Sequence, residues 1–375
     1  DFDGDYVQDV AFDTTGDSTG ASSANIQIAF GRLSSFPVAP QSVGRLDSIL
    51  QLAPAYFDWV LTGQFDFIQT IFAIERDATD KDVVASLLQG SPDRLIDSPY
   101  FIQPSKQQVI SSAVVAALGA STHPGIAGVS TGKLGSTGLW FVPAEGEAQL
   151  DVTNSALTQL DIGLDPLRID TTEVAPIDVG GAPGQELAVF QPESDDGLKP
   201  SCFLVASVTG TTWNVPACEH VPNVRALPTR PANLEPRDVD GDGKTDLIVE
   251  YTDSGKFAAR VLFNDMTGSL SLAAGTELSL PDGTVAVTTI HYAKEGGTQL
   301  IALAQSGLWI APLTGRQIGT FEQAVTFAAD AGASSANQEE VVTDLTVADV
   351  DGDGVEDAVV GTNQGFRIHY GVPQP

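Results

Sequence analysis

A short acidic motif that leads into an apolar run recurs along the chain and constrains its fold more than any other feature. It reads DFDGDYVQDVAF from Asp1, DVDGDGKTDLIV from Asp238 and DVDGDGVEDAVV from Asp349. A second pair, TGLWFVPAEG at 137–146 and SGLWIAPLTG at 306–315, is offset by 169 residues. Such internal similarity is typical of repeat architectures, in which each unit packs on the next. The sequence therefore predicts a chain built from repeated units.

The start of the apolar strand after each acidic loop gives the period of the repeat. Strong copies start at Asp9, Asp246 and Asp357, and weaker copies at Gln69, Ile126, Leu187 and Leu300. Successive starts are 54 to 61 residues apart. Each unit holds about four short apolar runs separated by Gly, Asp and Asn, which is typical of antiparallel strands. The segment at 106–119 is interpreted as a strand, because a helix there would interrupt the repeat.

Repeated four-stranded units of about 58 residues predict an all-β protein with the fold of a seven-bladed β-propeller, which leaves few sheet edges open. We interpret 1–375 as one domain, with blades at 1–47, 48–107, 108–168, 169–231, 232–284, 285–340 and 341–375. The first unit lacks its first strand and the last lacks its fourth. We therefore expect a segment N-terminal to residue 1 to complete the ring.

The carboxylates of the acidic motif stand at alternating positions, which turns them toward a common centre. They are Asp238, Asp240, Asp242 and Asp246 in one copy and Asp349, Asp351, Asp353 and Asp357 in another. A pair of carboxylates ~4 Å apart repels by about 4 kcal/mol at an effective dielectric constant of 20, so the loop requires a hard cation or protonation. Ca²⁺ accepts six to eight oxygens, and the backbone carbonyls of Lys244 and Val355 are expected to add one each. The two copies predict two calcium sites.

A third calcium site is predicted at the start of the chain, with Asp1, Asp3, Asp5 and Asp9 as carboxylate ligands and Val7 as the carbonyl donor. The other units lack these ligands. Asp178 stands alone in one of them and Asp66 in another. We expect no metal in these degenerate units.

At these residues the chain resembles the FG-GAP/VCBS repeat family, which includes the propeller heads of integrin α subunits. The matching motif, D-h-D-G-D-G-x-x-D-h-h-h, covers 238–249 and 349–360, with one departure, Tyr6 for glycine, at 1–12. The resemblance implies a seven-bladed propeller with Ca²⁺ in the loop that joins the first two strands of a blade. It also implies an extracellular or cell-surface location and an adhesive or structural role. We expect the source to be bacterial. The family has no single activity, so the resemblance does not supply the ligand.

Two cysteines, Cys202 and Cys218, lie symmetrically about Gly210 in a segment of two β-rich runs. A hairpin that turns at this glycine would set them opposite each other, close enough for a disulfide. The bridge would indicate an oxidising compartment. The alternative is two reduced, unrelated thiols.

The net charge of the chain restricts its possible binding partners. With 18 Lys and Arg against 49 Asp and Glu, the net charge is −31, which opposes binding to nucleic acid or to an anionic membrane surface. No apolar run reaches 18 residues, so no membrane span is predicted. The expected partner is another protein or a surface glycan, with self-assembly or neighbouring domains in a longer chain as further possibilities.

The sequence favours a calcium-stabilised propeller that acts as an interaction, adhesion or structural module. The first alternative is a carbohydrate-binding propeller, and the second is an enzyme with a site at the mouth of the central channel. The histidines, His123, His220, His291 and His369, fall in different units, and no common hydrolase or phosphate-binding motif occurs. We therefore expect no catalysis. Trp140 and Trp309 occupy matching positions three units apart, as packing residues between blades or as platforms for sugar rings.

Overall fold

The computed structural model describes residues 108–371 apart from 120–124, 133–135, 146–148, 151–156, 182–183, 211, 228–232, 292–296, 328–340 and 364. Before residue 108 it describes the backbone of seven strands. The predicted calcium loop at Asp1–Asp9, together with Asp66 and His123, lies outside the described residues.

The described strands form antiparallel sheets that follow one another in chain order, with no α-helix among the described residues. The first sheet contains β1 (Val10–Thr14), β2 (Ala24–Ala29) and β3 (Gln41–Leu46), and the second contains β4 (Ile49–Ala55), β5 (Thr70–Arg76), β6 (Val83–Gln89) and β7 (Tyr100–Ile102). The third contains β8 (Gln108–Ala116), β9 (Gly125–Gly132), β10 (Thr137–Val142) and β13 (Leu157–Leu160), and a separate ribbon pairs β11 (Ala144–Glu145) with β12 (Gln149–Leu150).

The C-terminal half continues the pattern. A 3-10 helix at Pro166–Thr171 leads into the fourth sheet, which contains β14 (Glu173–Ile177), β15 (Glu186–Gln191), β16 (Cys202–Thr209) and β17 (Thr212–Asn214). The fifth contains β18 (Asn233–Arg237), β19 (Asp246–Asp253), β20 (Lys256–Leu262) and β21 (Thr276–Glu277). The sixth contains β22 (Thr284–Ile290), β23 (Gln299–Ala304), β24 (Gly307–Thr314), β25 (Gln317–Ile318) and β26 (Glu322–Thr326), and the seventh contains β27 (Val342–Ala348), β28 (Asp357–Thr362) and β29 (Gly365–His369).

The interiors of the fourth, fifth and sixth sheets are apolar on both faces, because each of these sheets packs between two others. Along β15, Leu187 and Val189 join a core shared with the third sheet, whereas Ala188 and Phe190 join a core shared with the fifth. Side chains of a strand alternate between its two faces, so a strand that is buried on both faces has a continuous apolar run. The apolar runs at 247–249 and 300–303 have the same explanation, because alternate side chains of each run belong to two different cores.

The first strands of consecutive sheets lie side by side. β8 contacts β14, β14 contacts β18, and β22 contacts β27. Polar contacts join some of them: Ser112 donates to Glu173, and Thr288 donates to Glu235. From the third sheet to the seventh, the first strands thus lie toward one another, as in a radial arrangement of sheets.

The loop between the first and second strands has the same length in five sheets. Paired strand ends are nine residues apart at Ala116–Gly125, Ile177–Glu186, Arg237–Asp246, Ile290–Gln299 and Ala348–Asp357. Strand pairing moves the four weaker strand starts of the sequence analysis by one residue each, to Thr70, Gly125, Glu186 and Gln299. For Gly125, Glu186 and Gln299 the expected start was one residue late, because an apolar residue follows the true first position.

The predicted strand within 106–119 is confirmed as β8, Gln108–Ala116. The last strand of the fifth sheet is short, since only Thr276–Glu277 of the segment 269–280 pairs with β20. Within that segment Ser271 and Leu272 instead donate hydrogen bonds to the carboxylate of Glu219 in the fourth sheet region.

The predicted disulfide is confirmed, with Cys202 and Cys218 bonded at a Cα–Cα distance of 4.9 Å. Their predicted position directly opposite each other in a hairpin is wrong. The β16–β17 ladder pairs Thr209 with Thr212 and ends at Asn214, and the chain then leaves the sheet before Glu219 returns to pair with Phe203. The bridge therefore fastens this returning segment to the start of β16.

No helix in the described part of the chain is both long enough and apolar enough to cross a membrane.

Candidate metal centre

The loop at 238–246 brings three carboxylates together. One oxygen from each of Asp238, Asp240 and Asp246 lies within 4.8 Å of the others. Asp238 accepts hydrogen bonds from the amides of Gly241 at 2.8 Å and Gly243 at 2.9 Å. Both glycines have positive φ, +77° and +83°, a conformation that other residues adopt at a cost. The glycines thus allow the loop to fold around its first carboxylate.

The loop at 349–357 repeats this geometry in the seventh sheet. Asp349, Asp351 and Asp353 form its group of three, with oxygens within 4.8 Å of one another. Asp349 accepts hydrogen bonds from the amides of Gly352 at 2.8 Å and Gly354 at 2.9 Å, as Asp238 does from its glycines. Burial, together with repulsion from Asp353 and Asp349, raises the pKa of Asp351. The carboxylates therefore disfavour one another's charge in the absence of a cation.

The two groups differ in one member. Asp242 is predicted to join its group, but its carboxylate turns to the Lys244 ammonium, 2.7 Å away. This contact lowers the pKa of Asp242. Asp353, the counterpart, has Val355 at the lysine position and stays with its group. The sequence did not indicate this difference, because a lysine two residues after an aspartate has no fixed direction in a loop.

The ninth acid of each loop, Asp246 or Asp357, is buried at the start of the second strand. Asp246 accepts hydrogen bonds from the amides of Val239 at 3.0 Å and Asn264 at 2.7 Å. Asp357 accepts them from Val350 at 3.0 Å and Gly371 at 2.8 Å. Burial raises the pKa of both carboxyls to about 6. Asp246 belongs to its group of three, whereas Asp357 lies outside its group and holds the loop through the amide of Val350.

These residues fit a calcium ion. The donor set is all oxygen, three carboxylates converge in each loop, and backbone amides hold them in place. The carbonyl ligands at Lys244 and Val355 remain a prediction. Their amides donate to Asp242 and Asp353, which fixes the orientation of the peptide units before them.

The fourth sheet retains part of this arrangement, which the sequence analysis missed. Glu186 starts β15 and accepts a hydrogen bond of 3.0 Å from Val179, as Asp246 does from Val239. Asp178 accepts one from Gly180. Burial raises the pKa of Glu186. In the sequence, Glu186 stands nine residues after Ile177, as Asp246 stands nine residues after Arg237, but starting the strand at Leu187 obscured this equivalence. No group of three acids forms in this loop among the described residues.

The loops between the first and second strands of neighbouring sheets contact each other in a recurring way. The residue directly after the first strand of one sheet contacts the residue directly before the second strand of the next. Gln185 donates its amide to the Ala117 carbonyl at 2.8 Å. His291 Nδ1 lies 3.1 Å from the Glu356 carboxylate, and the amide of His291 donates to the same carboxylate. Between Asp178 and Thr245, the Asn264 side-chain amide donates to both carbonyls. The candidate metal loops therefore form part of a connected face.

Among the residues that the structure describes, the tryptophan and histidine candidates are not gathered into one site. Trp140 and Trp309 do occupy equivalent positions, opposite Gly128 and Ala302, but Trp140 is fully buried and Trp309 packs against the core between the fifth and sixth sheets. Burial leaves Trp140 with no face for a sugar. Among the described residues His220, His291 and His369 belong to three different sheet regions.

A cavity of about 460 Å³ lies between the third and fourth sheets, beside the disulfide. Asp161, Gly163, Pro216, Cys218 and His220 line part of it. The Nδ1 atom of His220 lies 2.5 Å from the Ser201 carbonyl. The wall that carries Cys218 and His220 is held by the disulfide and by the paired backbone of Phe203 and Glu219.

Comparison with solved structures places this architecture among known folds. The BP39L lectin from Burkholderia pseudomallei is similar in structure, with a TM-score of 0.53, 14% identity, and coverage of 97% of this chain and 94% of the lectin. This likeness shows the fold alone, that of a β-propeller.

Two further structures are similar at TM-scores below 0.5. A lectin from Agrocybe aegerita that recognises non-reducing terminal N-acetylglucosamine has a TM-score of 0.46 and 11% identity, over 84% of this chain and 80% of its own. BBS1N in complex with ARL6DN has a TM-score of 0.49 and 11% identity, over 96% of this chain and 92% of its own. No protein-family model and no curated protein sequence matches the chain.

Proposed function

We propose that the chain is a seven-bladed, FG-GAP-like β-propeller that binds calcium in its acidic loops and acts outside the cell as a binding module without catalysis of its own. The observation that carries this proposal is the pair of three-carboxylate groups on equivalent loops of different sheets. When bound, calcium neutralises the converging carboxylates. The disulfide supports an extracellular location, because such bridges persist in oxidising compartments.

The protein's own residues define the loops that receive the ion. Asp238 and Asp349 gather glycine amides around themselves, and Asp246 and Asp357 tie each loop to the start of a buried strand. The loops contact residues of neighbouring sheets on the same face. We therefore expect a loop that is ordered by bound calcium to improve the packing between blades. We expect no chemical reaction at the ion.

Carbohydrate is the ligand class we favour over a protein partner. The lectin of similar fold supports this choice. The cavity beside the disulfide has the volume of a small-molecule site, within the usual ~300–1,000 Å³. It offers the carboxylate of Asp161 and the imidazole of His220, groups suited to hydrogen bonds with sugar hydroxyls.

A glycan array probed with the labelled protein tests the ligand class. We expect binding to a defined set of glycans in millimolar calcium, and about tenfold weaker binding, ~1.4 kcal/mol, for Asp161→Ala and His220→Ala. Asp282→Asn, a change at an exposed acid far along the chain, serves as the control. A folded, calcium-loaded protein that binds no glycan would exclude carbohydrate and leave a protein partner.

A further inference from the structure

Two segments of the chain form walls of the cavity beside the disulfide, and the first of them is anchored through its buried residues. Ile162 and Leu164 belong to the core that the third and fourth sheets share. The residues that alternate with them, Asp161 and Gly163, are exposed and line the cavity. The carbonyl of Thr137 accepts the amide of Asp161 at 2.7 Å, and its hydroxyl donates to the carbonyl of Leu164 at 3.2 Å. The carboxylate of Asp161 therefore extends from a fixed backbone.

The second wall runs from Val215 to His220 and is anchored on two sides. The disulfide holds it at Cys218, and the backbone of Glu219 forms hydrogen bonds of 2.9 and 2.8 Å with that of Phe203. The carboxylate of Glu219 accepts three further hydrogen bonds from the segment before β21. The imidazole of His220 thus follows directly after a residue that is fastened to both the fourth and the fifth sheet regions.

The contact between His220 and Ser201 determines the tautomer of the imidazole. Nδ1 of His220 lies 2.5 Å from the carbonyl oxygen of Ser201, and a carbonyl oxygen only accepts hydrogen bonds. Nδ1 therefore carries a proton and donates it to Ser201. In the neutral imidazole the other nitrogen, Nε2, then keeps its lone pair and is an acceptor. Nε2 is the ring nitrogen left for a ligand, and it requires a donor from that ligand.

The side chains that line the cavity accept hydrogen bonds from a ligand and do not supply them. Asp161 contributes a carboxylate, which has no hydrogen bond or ion pair with another described residue. The remaining lining residues besides His220 have side chains without a donor: Ile162, Gly163, Val215, Pro216, Ala217 and the disulfide-bonded Cys218. Among the described residues of the lining there is thus no basic side chain, and the one side-chain donor, Nδ1 of His220, is already used.

We propose that this cavity selects neutral sugars, which donate hydroxyl protons to Asp161 and to Nε2 of His220, and rejects acidic sugars such as uronic and sialic acids. This inference rests on the proposed carbohydrate binding. A carboxylate on the sugar is repelled by the carboxylate of Asp161, and no basic side chain of the described lining offsets this repulsion. The net charge of −31 opposes the approach of an anion over longer distances as well.

A matched pair of probes isolates the charge of the sugar. The first probe is a neutral hexose oligosaccharide that the protein binds on the glycan array. The second is the same oligosaccharide with its terminal hexose oxidised at C6 to the uronic acid. Titration calorimetry in millimolar calcium, at about pH 8 where an ordinary histidine is neutral, should show about tenfold tighter binding of the neutral probe by the wild-type protein.

Two variants assign this preference to the cavity. Asp161→Asn removes the charge and keeps an acceptor oxygen, so it should narrow the preference about tenfold, mainly through tighter binding of the acidic probe. His220→Lys places a basic side chain in the lining and should narrow the preference as well. Asp282→Asn is the matched control, because it removes the same charge from an exposed acid that does not line the cavity. It should leave the preference unchanged.

The outcomes distinguish this inference from the function beneath it. A folded, calcium-loaded protein that binds neither neutral nor acidic glycans would exclude carbohydrate binding itself. If the wild-type protein binds the acidic probe as tightly as the neutral one, carbohydrate binding stands and the selectivity is wrong. Equal effects of Asp161→Asn and Asp282→Asn would also overturn it, because they would show a general effect of net charge. If Asp161→Asn does not fold, an unchanged preference in His220→Lys overturns the inference by itself.

Discussion

Glu186 and Asp246 begin the second strands of adjacent sheets, and each accepts a 3.0 Å hydrogen bond from the backbone amide seven residues before it. Asp357 does the same with Val350. The contact persists in the fourth sheet, where the group of three carboxylates is absent among the described residues. The ninth acid therefore has a structural role that does not depend on metal: it satisfies a buried amide and ends the loop.

Replacing Glu186 by alanine is expected to destabilise the protein by about 1–3 kcal/mol, because the amide of Val179 is buried and would lose its acceptor. Glu186→Gln keeps an acceptor oxygen and should cost less. Urea denaturation of both variants beside Glu322→Ala, an exposed control, measures the difference. A loss in Glu186→Ala no larger than that of the control would contradict the structural role.

Stability in chelator should depend on pH through Asp246 and Asp357. Their pKa values are raised to about 6 in the folded protein by burial, against about 3.9 in an unfolded chain. Between these values the folded state binds the extra proton, so each group adds stability as pH falls from about 6 toward 4 and removes it as pH rises. The expected size is on the order of 1–3 kcal/mol per group.

Asp357→Asn tests this dependence, because the amide side chain does not titrate. Urea denaturation at pH 4.5 and pH 7 in chelator should show a smaller difference for the variant than for the wild type. An identical difference in both proteins would mean that other groups carry the pH dependence.

Removal of calcium is expected to lower the thermal stability and to loosen the segments at 1–9, 238–246 and 349–357 first. Each ion should stabilise the folded state by about 2.7 kcal/mol at 100 times its dissociation constant. Elemental analysis and calorimetry should show one ion fewer in Asp240→Ala and in Asp351→Ala. Asp66→Ala should leave the metal content unchanged, and an unchanged melting temperature in chelator with no bound metal would contradict all of these expectations.

The disulfide should contribute about 3 kcal/mol in the chain-entropy account, given its separation of 16 residues. The double variant Cys202→Ala and Cys218→Ala should lose this amount in urea denaturation. It should also loosen the segment at 215–220, which hydrogen exchange detects. Rapid labelling of both cysteines in unfolded, unreduced protein would show that the bridge is absent in solution.

Local sequence patterns predict much of the architecture. Glycines at 241, 243, 352 and 354 determine the loop turns, since their φ angles are all positive. The apolar runs that follow are long enough for strands and are buried on both faces. These features act over a few residues, so the repeat, the all-β class, the β8 strand and the acidic loops could be predicted from the sequence.

Only the tertiary structure determined which side chains meet. Asp242 pairs with Lys244, and Asp357 accepts the amide of Gly371. Arg316, 76 positions along the chain, donates to Asp240. The strand register shows that Glu186 and Asp246 occupy equivalent positions. Cys218 does not lie in the hairpin opposite Cys202, because the chain leaves the sheet after Asn214 and pairs with it again at Glu219. The physical reason is the same throughout: a sequence fixes the spacing of residues along one strand or loop, whereas contacts between sheets depend on how separate strands pair and pack.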